Sequence, residues 1–441
     1  MEQLDCDLLV LGAGMAGLTA GARAASKGAR VVVVEKSGEI GGAAVLSGAI
    51  FWTLQSVPKL AYVTEGRPDL LELLLAGYGE TLDWLRAREI DISPALNVMN
   101  GQGYQIDIIT YLQDCVRLIE QAGGHVVFDS NVTSLTRDAD GRVIGGIVSH
   151  ADGDIMAASP WTILATGGMQ GDPEMRARQV SPQARDMLLR STPASVGEGV
   201  RLGVGVGGVV RENDGFYGHL IPEGTPWGDP RLFRALAQHH SAHCLLINQA
   251  GERFCDESRY DHVNNQQVLR QPDSRALMIW DDRVHRQHVL LPFLTTHETV
   301  DKLEIALGHG ARAASFPTLE ALAGWAEGEG FDGAKAVETI TDYNRKLTGA
   351  WQKLSPRRED HHDIYDSAPY FAMIVRPAIT FSFGGLAVDA HARVVDAAGR
   401  PIPGLLAAGA DAGDVFRTGY AGGLAQAAGT AIAAVRTAGF A

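Results

Sequence analysis

The sequence predicts an α/β fold: a doubly wound nucleotide-binding domain assembled from both chain ends, interrupted by an inserted α+β capping domain. Three observations predict it. Near the start, an apolar strand runs straight into a glycine turn and a helix. From about Tyr217 to Tyr370 apolar density falls, while histidine, proline and charge accumulate. From Pro377 the chain returns to strand and glycine-turn patterning and ends in a small-residue helix. The expected boundaries are 1–216 and 373–441 for the split domain and 217–372 for the capping, catalytic insertion.

Leu8 to Leu11 is continuously apolar, as a parallel strand buried on both faces must be. Gly12-Ala13-Gly14-Met15-Ala16-Gly17 follows at once, and Leu18 to Lys27 is rich in helix-forming Ala, Leu and Arg. Arg30 to Glu35 is a second strand ending in a carboxylate. Residues 66–96 read as largely helical, with apolar stripes through Leu70, Leu74, Leu75, Leu82 and Leu85; Ile108 to Gln121 is a further helix. Val126 to Phe128 and Arg142 to Val148 read as strands around the turn Asp138 to Gly141. Thr162 to Ala165 is a short strand entering Thr166-Gly167-Gly168. Gly203 to Gly208 repeats the glycine spacing but opens no helix, so it reads as a helix end turning into a strand.

The first glycine motif carries specific physics. Gly12 lets the chain turn off the strand, Gly14 lets the backbone approach a pyrophosphate, and Gly17 lets helix and strand pack closely. The helix start then offers N–H groups and partial positive charge to phosphate. Glu35 is placed to accept hydrogen bonds from ribose hydroxyls and to repel a 2′-phosphate. Strand before, helix after and acid at the next strand's end together predict a dinucleotide, in a Rossmann-type domain.

Composition narrows the rest. Of 441 residues, 52 are glycine, well above the usual ~7%, as expected of a chain with many tight backbone turns. The formal charge is −14 and no Lys/Arg-rich stripe occurs, which argues against a nucleic-acid partner. Four separated cysteines, with no CxxC or CxxCH, argue against a disulfide framework, a thiolate metal knuckle and covalently attached haem. MEQLDCD lacks the positive start of a secretory signal, and the uncharged runs Ile40 to Pro58 and Thr418 to Val435 are rich in small residues. They read as tight loops and a close-packed helix, so no membrane span and a cytoplasmic location are expected.

Beyond Glu35 lies Lys36-Ser37-Gly38-Glu39-Ile40-Gly41-Gly42-Ala43-Ala44-Val45-Leu46-Ser47-Gly48-Ala49-Ile50-Phe51-Trp52. With Leu164 to Met169, Gly197-Glu198-Gly199, Leu246 to Glu257, Phe383 to Asp389 and Gly404 to Gly409, this segment resembles the FAD-binding succinate dehydrogenase/fumarate reductase flavoprotein superfamily. The loop after Gly41 is more similar to the 3-ketosteroid dehydrogenase branch.

The resemblance implies FAD, held by Gly12, Gly14, Met15, Ala16 and Gly17, with Glu35 and Lys36 beside them. Gly42, Ala43, Ala44, Ser47, Gly48 and Ala49 would lie near pyrophosphate and flavin. Val132 and the Ala165-Thr166-Gly167 turn would lie by the adenosine, and Glu198 near the ribityl phosphate. Leu424 and Ala425 would present backbone to the flavin's pyrimidine edge. No histidine stands in the first glycine-rich segment, so the flavin is expected to be non-covalent. Ala410 stands where an acid often follows Gly409; Asp411 is the alternative contact to the flavin sugar.

Two tyrosines decide the expected chemistry. Tyr260 lies three residues past Glu257, and Tyr420 just before Gly422-Gly423, the positions at which the resemblance implies active-site tyrosines. Fumarate reductases carry arginines there and a histidine where Phe381 stands. The expected activity is therefore α,β-desaturation of a cyclic ketone, a 3-ketosteroid or a smaller alicyclic one, at a CH–CH group. Tyr420 and the N–H groups of Gly422 to Leu424 would polarise the carbonyl, Tyr260 would take the proton, and flavin N5 the hydride. Tyr104 is a weaker candidate to tune that base. An external acceptor (quinone, dye or oxygen) is expected; the alternative is an ene or enone reductase of the fumarate reductase type.

His219 stands where a substrate histidine or one merely satisfied in the cap is expected. His239-His240-Ser241-Ala242-His243 has no carboxylate at ligand spacing in the sequence, so a surface or interface cluster, not a metal site, is expected. Arg376 and Arg417 rank low as a grip on a substrate carboxylate.

Overall fold

The structure is a computed structural model describing residues 2–99, 101–290 and 299–440. Its chain divides into two compact units, one of Met1–Pro182, Ser191–Tyr217 and Phe381–Ala441, the other of Gln183–Arg190 and Gly218–Thr380.

The first unit is built on a six-stranded sheet in the order Arg393–Val395, Pro401–Ala407, Thr162–Leu164, Leu8–Leu11, Val31–Val34, His125–Val127. Every neighbouring pair is parallel except the first. Leu8–Leu11 and Val31–Val34 are buried throughout, which explains their unbroken apolar runs. The helix Met15–Ala25 crosses between these two strands, and the helix Ile108–Gln121 has the bounds read from the sequence. The unit also has a four-stranded sheet (Glu2–Asp5, Gly153–Ala158, Val143–His150, Asn131–Arg137), a three-stranded one (Ile50–Thr53, Gly101–Gln105, Leu96–Val98) and two short two-stranded ones (Val210–Arg211 with Gly385–Leu386, Phe216–Tyr217 with Phe381–Ser382).

Residues 66–96 are helical only over Pro68–Ala87; the remainder turns back into the strand Leu96–Val98. The final helix, Gly423–Thr437, is buried along nearly its whole length. It lies so close to Pro68–Ala87 that a Cβ on Gly77 would be 2.3 Å from the Gly429 Cα, which accounts for the small residues in that run. No helix of the described residues is long and apolar enough to cross a membrane. The second glycine repeat is the end of the helix Glu198–Gly205 before the strand Val210–Arg211, as read.

The second unit centres on the long strand Tyr370–Ile379. It pairs with Leu188–Leu189, Ala276–Asp281, Leu220–Pro222 and Ala313–Phe316, and Leu245–Ile247 extends the sheet beyond Ala276–Asp281. Its core includes Trp280, Tyr343 and Tyr365, packed with the helices Leu319–Gly328 and Gly333–Gly349.

Candidate active site

In the first unit, the three glycines of the opening turn do different things. Gly12 has φ +103°, and a Cβ there would meet the Ala165 carbonyl oxygen at 2.4 Å. A Cβ on Gly17 would lie 1.9 Å from the Gly12 carbonyl oxygen. At Gly14 the nearest atom is the Gly41 carbonyl oxygen, 3.8 Å away, so the approach is open. Gly14 caps the helix without a side chain, leaving the first-turn N–H groups of Met15, Ala16 and Gly17 to point at that approach. This is a cradle for phosphate oxygens.

Glu35 is fixed at the rim of the cradle. Its Oε2 accepts from the Ala13 N–H at 2.7 Å and its Oε1 from the Ser37 N–H at 2.8 Å, with acceptor capacity remaining for ribose hydroxyls. The second loop docks on the first through the Gly41 N–H, which donates to the Ala13 carbonyl at 2.9 Å. Gly42 (φ +50°) and Ala49 (φ +55°) bend it. Between them the Ser47 hydroxyl donates to the Ala44 carbonyl at 2.6 Å and accepts from the Ala49 N–H at 3.0 Å. Ser47 thus shapes the loop, while Ala43 and Gly48 line it half-exposed and Ala44 is buried.

Lys36 and Glu198 form one ion pair, with the Lys36 ammonium also donating to the Ala194 carbonyl at 2.7 Å. Asp411 takes a different place from a sugar contact. It is fully buried, and its carboxylate accepts from the N–H groups of Thr166 at 2.5 Å and Gly168 at 3.0 Å and from the Thr166 hydroxyl at 2.9 Å. Burial raises its pKa, against those hydrogen bonds. Thr166 in turn accepts from the Gly199 N–H at 3.0 Å. Asp411 therefore clasps the Ala165-Thr166-Gly167 turn, with Gly167 at φ +93°, to the start of the helix carrying Glu198. Val132 is buried in the strand Asn131–Arg137. Gly409 is pinned to the last helix: its N–H donates to the Thr430 hydroxyl at 2.8 Å, and its carbonyl accepts from the Gln426 amide at 3.2 Å.

Leu424 and Ala425 occupy the first turn of that helix, behind Gly422 (φ +98°) and Gly423. The Gly423 N–H donates to the Tyr420 phenol oxygen at 2.8 Å. Around the Tyr420 ring stand Tyr217, stacked at 3.5 Å between centroids, and the edges of Trp52 and Phe416, both 5.7 Å away, with Phe381 at 6.1 Å. Tyr217 was not among the residues the sequence singles out; a two-residue strand, Phe216–Tyr217, places it opposite Phe381–Ser382. The aromatic pair after Asn213-Asp214-Gly215 was the only available signal.

Tyr104 does not join this group. It pairs with Phe51 across the three-stranded sheet, so both rings leave the same face, where Tyr78 stacks on Phe51 and the Arg86 guanidinium lies 5.8 Å from the Tyr104 ring. Trp52 leaves the opposite face, toward Tyr420. Gly103, its partner in register, must lack a side chain because a Cβ there would be 2.3 Å from the Trp52 Cβ. Arg417 is exposed and Arg376 half-buried on its strand.

In the second unit, Tyr260 is the residue before the helix Asp261–Leu269 and has φ +69°, ψ 160°. A non-glycine residue there costs on the order of 1–3 kcal/mol, a strain that clusters at functional sites. Its ring lies 6.2 Å from His262, nearly parallel, and 6.4 Å from His361. The neighbouring Asp261 makes a very short contact with His219 Nδ1, both residues being buried. Burial, with Arg190 and Lys302 adding to it, holds His219 far below its ordinary pKa, and burial raises Asp261. Burial thus disfavours the charged form of both partners.

Three residues before Tyr260, Glu257 is held by two buried guanidinium groups. Arg253 Nε and Nη2 donate to its two oxygens at 2.9 and 2.5 Å, and Arg358 Nη1 stands 3.5 Å from Oε2. The Arg-Phe-x-x-Glu motif is thus an internal ion cluster. Lys302, half-buried where it acts on His219 and donates to the Arg234 and Ala235 carbonyls, is lowered to about 8 by burial.

A family model described as an FAD binding domain matches residues 7–424. The fumarate reductase (cytochrome) of Shewanella frigidimarina is 25% identical over 448 residues, covering 95% of this chain and 74% of that protein. The 4-oxocyclohex-2-ene-1-carboxylate 5-dehydrogenase of Sinomonas cyclohexanicum is 26% identical over 331 residues, covering 70% of this chain and 55% of that protein. The solved 3-ketosteroid-Δ4-(5α)-dehydrogenase of Rhodococcus jostii RHA1 shares the fold, with TM-score 0.75 and 19% identity, covering 99% of this chain and 97% of that one. The open phosphate cradle, the rim carboxylate and the helix start beyond Gly422 fit the group that the family model names, and the chain belongs to the FAD-dependent oxidoreductases of the succinate dehydrogenase/fumarate reductase flavoprotein superfamily.

Proposed function

We propose that the chain desaturates a cyclic ketone, a 3-ketosteroid or a smaller alicyclic ketone, to its α,β-unsaturated form. The observation that carries this reading is Tyr420, its phenol oxygen tied to the first N–H of the last helix and its ring enclosed by aromatic rings. A phenol that accepts an N–H becomes a stronger donor, suited to a ketone oxygen whose charge grows as the adjacent C–H is broken. Tyr260 takes the proton from that carbon. FAD, when bound, supplies hydride acceptance, and its electrons pass to an external quinone, dye or oxygen. The relative from Sinomonas carries the name of a dehydrogenase of a small cyclic ketone, which supports the alicyclic class.

The residues proposed to hold FAD are those of the cradle and its rim: Gly12 to Gly17, Glu35, Lys36 with Glu198, the loop Gly42 to Ala49, the turn Ala165 to Gly167, and the backbone at Gly409, Leu424 and Ala425. Asp411 serves through the turn it clasps. Because Gly17 has no space for a Cβ, Gly17→Ala is expected to cost about 1–3 kcal/mol and to purify without bound flavin. Visible absorbance and thermal denaturation check both. Acid precipitation of the wild type should release all yellow colour, as non-covalent binding requires.

Anaerobic mixing with a saturated cyclic ketone is expected to bleach the flavin, and Tyr420→Phe to slow that bleaching roughly 10²–10³-fold. The reductase reading keeps a place because several relatives are named reductases. If no cyclic ketone bleaches the protein while an activated alkene reoxidises its chemically reduced form, the reaction runs in that direction.

A further inference from the structure

The histidine run His239–His243 has no part in the chemistry above. No carboxylate stands at ligand spacing within the run, but the fold supplies one. His243, His288 and Asp363 each bring one potential ligand atom to within 4.8 Å of the others. His243 Nδ1 lies 3.2 Å from Asp363 Oδ2. The His243 and His288 rings stack 3.5 Å apart, and the His361 ring is 4.2 Å from His243. All three potential ligands are half-buried, reachable from solvent yet sheltered from it. They come from separate segments: the turn His239–His243, the turn His285–Val289 and the stretch before Tyr365. The second of these is widened to i→i+5 bonding, a distortion that recurs at functional sites.

We propose that His243, His288 and Asp363 bind one borderline divalent transition-metal ion of the Zn²⁺ class, with His361 in reach as a fourth ligand. Two imidazoles and a carboxylate are the donor set such an ion takes. The ion replaces the proton shared by His243 and Asp363, which moves to the other ring nitrogen of His243. His288, half-exposed, turns about its side-chain bonds so that its ring plane meets the ion. Of the charged groups nearby, Arg358 stands 3.9 Å from Asp363 but is engaged with Glu257 and with the Ala242 and Cys244 carbonyls. In the other group at ligand spacing, His219, His239 and Asp261, the carboxylate is already engaged in a very short contact with His219, and two cations, Arg190 and Lys302, act on the site.

The ion staples the turn His239–His243 to the segment 358–363. That segment carries Arg358 and also meets the stretch before Tyr260: the Glu359 N–H donates to Asp256 at 3.1 Å, and the Asp360 N–H to the Ser258 hydroxyl at 3.2 Å. Binding there stiffens the support of Tyr260.

Flavin-loaded protein stripped with a chelator and titrated with Co²⁺ tests this. The expected result is a visible d–d absorption saturating at one ion per chain, displaced by Zn²⁺, and a Zn²⁺-dependent rise in melting temperature of a few degrees. His243→Ala with His288→Ala, and separately Asp363→Asn, should each weaken binding at least 100-fold and remove the thermal response; His239→Ala should leave both in place. Circular dichroism of the variants shows that they are folded. Absence of the Co²⁺ band in wild type, or an unchanged band and thermal response in the folded double variant, overturns the proposal.

Discussion

Glu257→Ala is expected to remove a large part of the second unit's stability while leaving it folded in the absence of denaturant. Glu257 and Arg358 are fully buried and Arg253 nearly so. Removing the carboxylate strands two guanidinium groups away from water, a loss of about 3–5 kcal/mol where a buried pair loses one partner. Against typical domain stabilities of ~5–15 kcal/mol, that is a large share. Replacing all three by apolar residues of similar volume should cost less than the single change, because nothing charged is then left unpaired. Urea denaturation of both variants measures the difference; a triple variant weaker than the single one would contradict the explanation.

The same cluster sets an acid limit. Burial pushes the Glu257 carboxyl up, but Arg253, with Arg358 behind it, outweighs burial and holds it below its ordinary value. A depressed folded pKa means that the stabilisation is complete above the unfolded carboxylate range, near ~4.3, and is lost as pH falls through the lower folded value. Glu257→Gln should therefore flatten the acid side of the stability profile.

The second large effect falls on turnover. Tyr260→Phe is expected to lower kcat roughly 10²–10⁴-fold, the range for loss of a general base, with flavin content and melting temperature unchanged. The phenyl ring preserves the packing against His262 and His361, so only the hydroxyl is lost. Anaerobic stopped-flow bleaching isolates the step. A variant that bleaches at the wild-type rate would remove Tyr260 from the chemistry and leave its left-handed backbone without a functional reason.

What the sequence discloses follows the range of the forces involved. Leu8–Leu11, the glycine turn and Val31–Val34 are legible because each is dictated locally: two-sided burial forces an apolar run, and contacts under 3 Å at Gly12 and Gly17 exclude side chains. The helix Ile108–Gln121 carries its own start signal, Asp107, which accepts from the Thr110 N–H at 3.1 Å. Tyr217 over Tyr420, Asp363 beside His243 and Asp411 under Thr166 are not legible, since each joins residues far apart in the chain through geometry that no local pattern encodes. Tyr104 shows the opposite failure. It sits one strand from Trp52, yet the alternation of a pleated sheet turns its ring to the other side.

Tyr217 hangs from a strand of only two residues, Phe216–Tyr217, paired with Phe381–Ser382, and stacks on Tyr420; no residue of the opening glycine turn and no part of Glu35 belongs to that short sheet. Altering position 217 should thus retune which molecules the enzyme prefers while leaving its grip on the prosthetic group intact. An engineer could widen or narrow the repertoire there without first having to rescue a colourless protein.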